Sequence, residues 1–122
     1  MSILLIVDDS KTIQKQITHF TAQHFPELKV VTASSAEEAL TLIPGIIKDL
    51  RVAIFDFNMD GMTGLELIEK VKDIIPTNKI ILCTANIQEA IKAKAHGHGV
   101  NFKEKPLTMD NFKETINIVL KK

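Results

Sequence analysis

Five short apolar runs, each followed by a longer stretch with helical spacing, constrain the fold more than any other feature of this chain. The runs are ILLIV (3–7), KVVTA (29–33), RVAIF (51–55), KIILC (79–83) and VNFKE (100–104). The first four are near-continuous Val, Ile and Leu, the pattern of strands covered on both faces. After each run, apolar residues recur every three or four positions. They are Ile13, Ile17 and Phe20; Ala36, Ala39, Leu40 and Ile43; Leu65, Ile68 and Val71; Ile87, Ala90, Ile91 and Ala95; and Phe112, Ile116, Val119 and Leu120. That spacing places each set on one side of a helix. Ser10 and Ser34 are the expected N-caps of the first two helices. Pro44-Gly45 is expected to end the second helix, and Pro76 to close the exit of the third. Five strand–helix units in succession predict an α/β fold: a doubly wound, five-stranded parallel sheet flanked by five helices.

A chain of 122 residues suits one domain, spanning 1–122. A domain of that size buries about two thirds of its unfolded surface. Fifteen basic residues balance fifteen acidic ones, so no overall field draws the chain to nucleic acid. Cys83 is the single cysteine, which excludes an intramolecular disulfide; within IILC it reads as a small core residue. The N-terminal MSILLIVDD is too short for a signal peptide or a membrane span, and two aspartates end it. A soluble, cytoplasmic protein without membrane insertion is therefore expected.

In a doubly wound sheet the site lies beyond the carboxyl ends of the strands, where the strand order reverses. The polar residues at those ends are Asp8, Asp9, Asp56, Thr84 and Lys105, with only Ser34 and Ser35 after the second strand. Three carboxylates at one rim repel each other, and a divalent cation relieves the repulsion. Carboxylates plus a backbone carbonyl suit Mg²⁺, a hard ion that keeps some of its waters and favours phosphate. A lysine and a threonine beside them add a cation and a hydroxyl donor. This set suits phosphoryl transfer to a carboxylate, which needs in-line positioning and charge neutralisation.

The motifs VDDS (7–10), DFNMDGMTG (56–64), TA (84–85) and KP (105–106) span the whole chain in order. They resemble those of the receiver domains of two-component response regulators, and most of all the stand-alone chemotaxis-type regulators. The resemblance implies a flavodoxin-like sheet with strand order 2-1-3-4-5. It makes Asp56 the phosphoacceptor, attacking a phosphohistidine on a sensor histidine kinase or phosphotransfer protein. Mg²⁺ is then ligated by Asp9, Asp56 and the backbone carbonyl of Asn58, with Asp8 helping through water. Lys105 pairs with the phosphoryl oxygens, Thr84 moves to hydrogen-bond one of them, and the Ala85 amide takes another. Phe102 matches the aromatic switch position, and Lys105-Pro106 a bond that is often cis. Asn58 and Asn86 match positions that tune the lifetime of the phosphoryl group. Such a domain is not an enzyme acting on other substrates; it catalyses its own phosphorylation and dephosphorylation. Its output is a target protein docked on the fourth helix, fifth strand and fifth helix.

Two rival readings start from the same residues. DFNMDGMTGLE (56–66) looks like a calcium loop, but the twelfth position, which needs a bidentate Glu, is Leu67. A haloacid-dehalogenase-like phosphatase would share the Asp–Mg²⁺–Lys logic, but Asn58 stands where its second Asp belongs, and 122 residues leave no room for a cap domain. The chain also departs from the receiver pattern. Asp60 replaces a usual proline, and HGHG (96–99) replaces a usual Gly-Ala turn, with His98 where Gly is common. His96 and His98 are expected in a loop. Lys92, Lys94 and Lys103 form either a docking face or a solvated one. Met1 lies just ahead of the first strand and the chain stops as the last helix ends, so a stand-alone switch is expected. The alternative is a receiver excised from a larger regulator with an effector domain.

Overall fold

The computed structural model describes residues 1–85 and 88–121. Five strands, β1 (Ser2–Val7), β2 (Leu28–Ala33), β3 (Leu50–Asp56), β4 (Ile80–Thr84) and β5 (Asn101–Glu104), alternate with α1 (Lys11–His24), α2 (Ala36–Ile46), α3 (Gly64–Val71), α4 (Glu89–His98) and α5 (Met109–Leu120). The strands form one sheet in the order β2-β1-β3-β4-β5, and every neighbouring pair is parallel. Strand bounds fall within about one residue of the sequence pattern, since apolar runs end where the chain leaves the core.

Alternation along the strands divides the core in two. Leu5 and Val7 of β1, Phe55 of β3 and Leu82 of β4 face α2, α3 and α4. Leu4, Ile6, Val52, Ile54, Ile81 and Cys83 face α1 and α5, where Phe20, Phe25 and Phe112 pack together. The register shifts between Ile3 and Leu4, which pair with Leu50 and Val52. Arg51 is thus an extra residue, and it lets Leu50 and Ala53 lie on the same face.

Several local expectations are corrected. Ser10 caps α1 as expected, but the N-cap of α2 is Ser35, whose side chain accepts from the Glu38 amide. Helix α2 runs through Pro44 to Ile46. Proline removes one helical hydrogen bond near the end, while Ile46 and Ile47 continue the apolar face that Ile43 begins. Helix α3 stops at Val71, well before Pro76, which instead precedes a short 3₁₀ turn, Thr77–Lys79. Strand β2 is an edge strand, with Lys29 and Thr32 exposed, so only part of it is covered on both faces. His96 and His98 occupy the last turn of α4 rather than a loop. Gly99 takes the left-handed conformation at φ 77° and closes that helix, its amide reaching His96 O at 3.0 Å. The Nε2 of His98 lies 2.8 Å from Glu69 Oε1 on α3 and ties the two helices together.

Candidate functional site

Parallel strands end on the same side, so the ends of β1, β3, β4 and β5 bring Asp8, Asp56, Thr84 and Lys105 to one rim. Asp8, Asp56 and Thr84 are buried, Lys105 is half-buried and Asp9 is exposed. One carboxylate oxygen from each of Asp8, Asp9 and Asp56 lies within 4.8 Å of the others. Lys105 reaches in from the end of β5. Its Nζ donates to Asp8 Oδ2 at 2.8 Å and sits 3.1 Å from Asp56 Oδ1.

Asp8 is fixed on several sides. Its amide donates to Ala33 O at 3.0 Å, and its Oδ1 accepts from the Ser10 amide at 2.9 Å. The loop after Asp56 is held by backbone hydrogen bonds, since the Phe57 amide donates to Cys83 O on β4 and the Gly64 amide to Phe57 O, each at 3.1 Å. Met59 anchors it in the core. Thr63 and Glu66 then start α3 with a capping box.

Burial raises the Asp56 carboxyl above its ordinary range, the hydrogen bond from Lys105 opposes this, and the charges of Asp8 and Asp9 add to the rise. Burial alone would lower Lys105, but its hydrogen bonds to Asp8 and Asp56 outweigh that and leave it raised. The Lys105 cation thus pairs with two of the three carboxylates. Burial pushes the neighbouring Cys83 thiol up to about 12, so it is a packing residue without nucleophilic character at neutral pH.

The donor set fits a hard divalent cation. Carboxylate oxygens converge from two strands, two of the three acids are buried, and the local negative charge exceeds what one lysine neutralises. Asn58, whose backbone carbonyl is the expected third direct ligand, is exposed in the adjoining loop. Asp60 is exposed and stands apart from the acidic group among the described residues. Ala85 follows Thr84 at the same rim and is exposed. Phe102 lies half-buried on β5, and the Lys105-Pro106 bond is cis. Asn86 falls outside the described residues.

The calcium reading fails on position. Asp56 ends a strand rather than a helix, Leu67 is fully buried, and the Glu66 carboxylate is taken by the Thr63 amide at 3.0 Å. Sequence reasoning missed Gln14, which donates to the Asp8 carbonyl, and Gly64, which allows α3 to start against β3. Neither has a local signal, since each role rests on a contact with another element.

Residues 4–117 match the response regulator receiver domain family, and the chain belongs to it. It is a CheY-like receiver domain of two-component signalling. A chemotaxis protein CheY homolog of Campylobacter jejuni is 35% identical over 123 residues, covering 96% of this chain and 91% of that protein. Chemotaxis protein CheY1 of Helicobacter pylori is 33% identical over 120 residues, covering 96% and 95%. The solved structure of Vibrio cholerae chemotaxis protein CheY4 superposes with a TM-score of 0.86 at 27% identity, covering 98% of this chain and 99% of that one. The chain spans only part of other relatives: 45% of the transcriptional activator protein ExaE of Pseudomonas putida, and 32% of a protein-glutamate methylesterase/protein-glutamine glutaminase of Geobacillus kaustophilus. Among the described residues, no helix is long and apolar enough to cross a membrane.

Proposed function

We propose that the chain is a signalling switch that takes a phosphoryl group onto Asp56. The observation that carries this reading is Lys105 Nζ set between Asp8 and Asp56, beside three converging carboxylates at the carboxyl end of a parallel sheet. An oxygen of Asp56 attacks the phosphorus of a phosphohistidine on a sensor histidine kinase or phosphotransfer protein. The P–N bond breaks as the P–O bond forms, and the histidine leaves. Asp9, Asp56 and the Asn58 carbonyl, with Asp8 behind them, would hold Mg²⁺, which would supply charge neutralisation for the transferred group. Lys105 then exchanges its contact with the Asp56 carboxylate for one with a phosphoryl oxygen, and the Thr84 hydroxyl and Ala85 amide take two more. Attack by water on the same phosphorus breaks its bond to the Asp56 oxygen, releases inorganic phosphate and returns the carboxylate, so the domain catalyses its own reset and no other turnover.

The two relatives matched along nearly their whole length are chemotaxis proteins. They support a stand-alone, chemotaxis-like role, with a target docked on α4, β5 and α5. The longer relatives support the alternative, a receiver that serves an effector domain in a larger regulator.

Acetyl phosphate with Mg²⁺ should add one phosphoryl group, read by intact mass, and chelation by EDTA should prevent it. Asp56→Asn should abolish the label. An Asp56→Asn variant that labels as well as the parent would overturn the assignment.

A further inference from the structure

The peptide between Asp8 and Asp9 joins two of the three carboxylates, and a single buried side chain holds its carbonyl. Gln14 lies on the buried face of α1, only 6% exposed. Its Nε2 donates to the Asp8 carbonyl at 2.7 Å and to Ser34 Oγ at 3.2 Å. Lys11 Nζ donates to the same Ser34 oxygen at 2.9 Å, so the loop after β2 is bound to the first turn of α1 from two sides.

A buried amide is costly unless it is hydrogen-bonded, and packing alone would favour an apolar residue there. Thr21, the other buried polar residue of α1, satisfies its hydroxyl within its own helix, on Ile17 O at 2.7 Å. Gln14 instead reaches out of the helix to two loops. The atom it grips has geometric leverage. A peptide is planar, so fixing the direction of the Asp8 carbonyl fixes the plane from which the chain departs to Asp9. The carboxylate of Asp8 is already held by the Ser10 amide and Lys105. Asp9 is exposed, and the peptide before it sets the N–Cα axis from which its side chain is carried.

We propose that Gln14 is a positioning residue for the divalent cation, aiming Asp9 through the Asp8 carbonyl, with Ser34 as its second anchor. The proposal rests on the Mg²⁺ reading of the site. Partners that orient ligating groups in this way change metal affinity by about 10–100-fold when removed.

The test is calorimetric titration of Mg²⁺ into the unphosphorylated full chain, with thermal melts in EDTA alongside. The parent, Gln14→Met, Ser34→Ala and Asp9→Asn are compared. Gln14→Met should weaken Mg²⁺ binding by about tenfold, and Ser34→Ala should weaken it less, whatever either does to the melt. Gln14→Met that melts lower but binds Mg²⁺ within about twofold of the parent would overturn the proposal, because packing alone predicts that result. If Gln14→Met does not fold, unchanged affinity in Ser34→Ala overturns it instead. Failure of the underlying metal reading looks different: the parent itself takes up no Mg²⁺, or Asp9→Asn binds it undiminished.

Discussion

Burial raises the Asp56 carboxyl above its ordinary 3.8, Lys105 pulls it down through a hydrogen bond, and Asp8 pushes it up again. The net rise has a consequence for stability. The folded state holds this proton more tightly than the unfolded chain, so the contribution is fully present below pH 3.8 and is lost as pH rises through the raised folded value. Ionised Asp56 therefore costs the fold stability at neutral pH. Asp56→Asn should stabilise the protein at pH 7, read as a higher Tm, and the gain should fade as the pH approaches 3.8. Melting curves of parent and variant across pH, in EDTA, measure it. An Asp56→Asn variant that melts lower at pH 7 would mean that the pair with Lys105 outweighs burial and like-charge repulsion. The residues of this cluster are readable in sequence because each ends an apolar run, and the strand-end rule needs only that position. Their electrostatic state is not readable, since it depends on how many carboxylates one lysine faces.

At the level of elements, the junction between β3 and α3 leaves no room for a side chain at Gly64. A Cβ on Gly64 would lie 2.4 Å from the Asp56 carbonyl oxygen and 2.8 Å from Leu82 Cδ1. The first of these is backbone, so relief requires moving either the strand that carries Asp56 or the start of the helix. Gly64→Ala should cost about 2–3 kcal/mol and slow labelling of Asp56 by acetyl phosphate. Denaturant unfolding and the labelling rate check the two parts; a loss under about 0.5 kcal/mol would show that the junction yields freely. Helix and strand positions follow from periodicity, but junctions follow from the approach of distant backbones. The missed cap of α2 has a different origin. Both Ser34 and Ser35 stand three residues before a glutamate, so the capping-box spacing fits either. Packing of Ala36 and Ala39 selects Ser35, which leaves Ser34 for Lys11 and Gln14. Pro44 shows that a proline near the end of a helix is overruled when apolar residues beyond it still have a core to meet.

At the scale of the whole molecule, the pattern predicts a parallel sheet but not its order, because periodicity records which face is buried and not which strand lies beside which. The order matters for function. It places β4 between β3, which carries Asp56, and β5, which leads to Lys105. Thr84 is fully buried, pairs in register with Glu104, and accepts the Lys105 amide on its carbonyl at 2.9 Å. On the proposed function, a shift of Thr84 toward a phosphoryl group would therefore pull on the backbone that carries Lys105. Through β5 it would pull on Phe102, which lies opposite Leu82. Coupling between a site and a surface of this kind amounts to about 1–3 kcal/mol. Phosphorylation should accordingly change amide hydrogen exchange in 89–104, beyond the loops that touch the phosphoryl group. Thr84→Val keeps the shape and removes the hydroxyl. It should still accept a phosphoryl group on Asp56 while leaving exchange in 89–104 close to that of the unphosphorylated protein. If the labelled variant shows the full change, the signal bypasses Thr84 and travels through Lys105 alone. If the labelled parent changes only in 8–10 and 56–64, the site and the α4–β5–α5 face are not coupled in this chain.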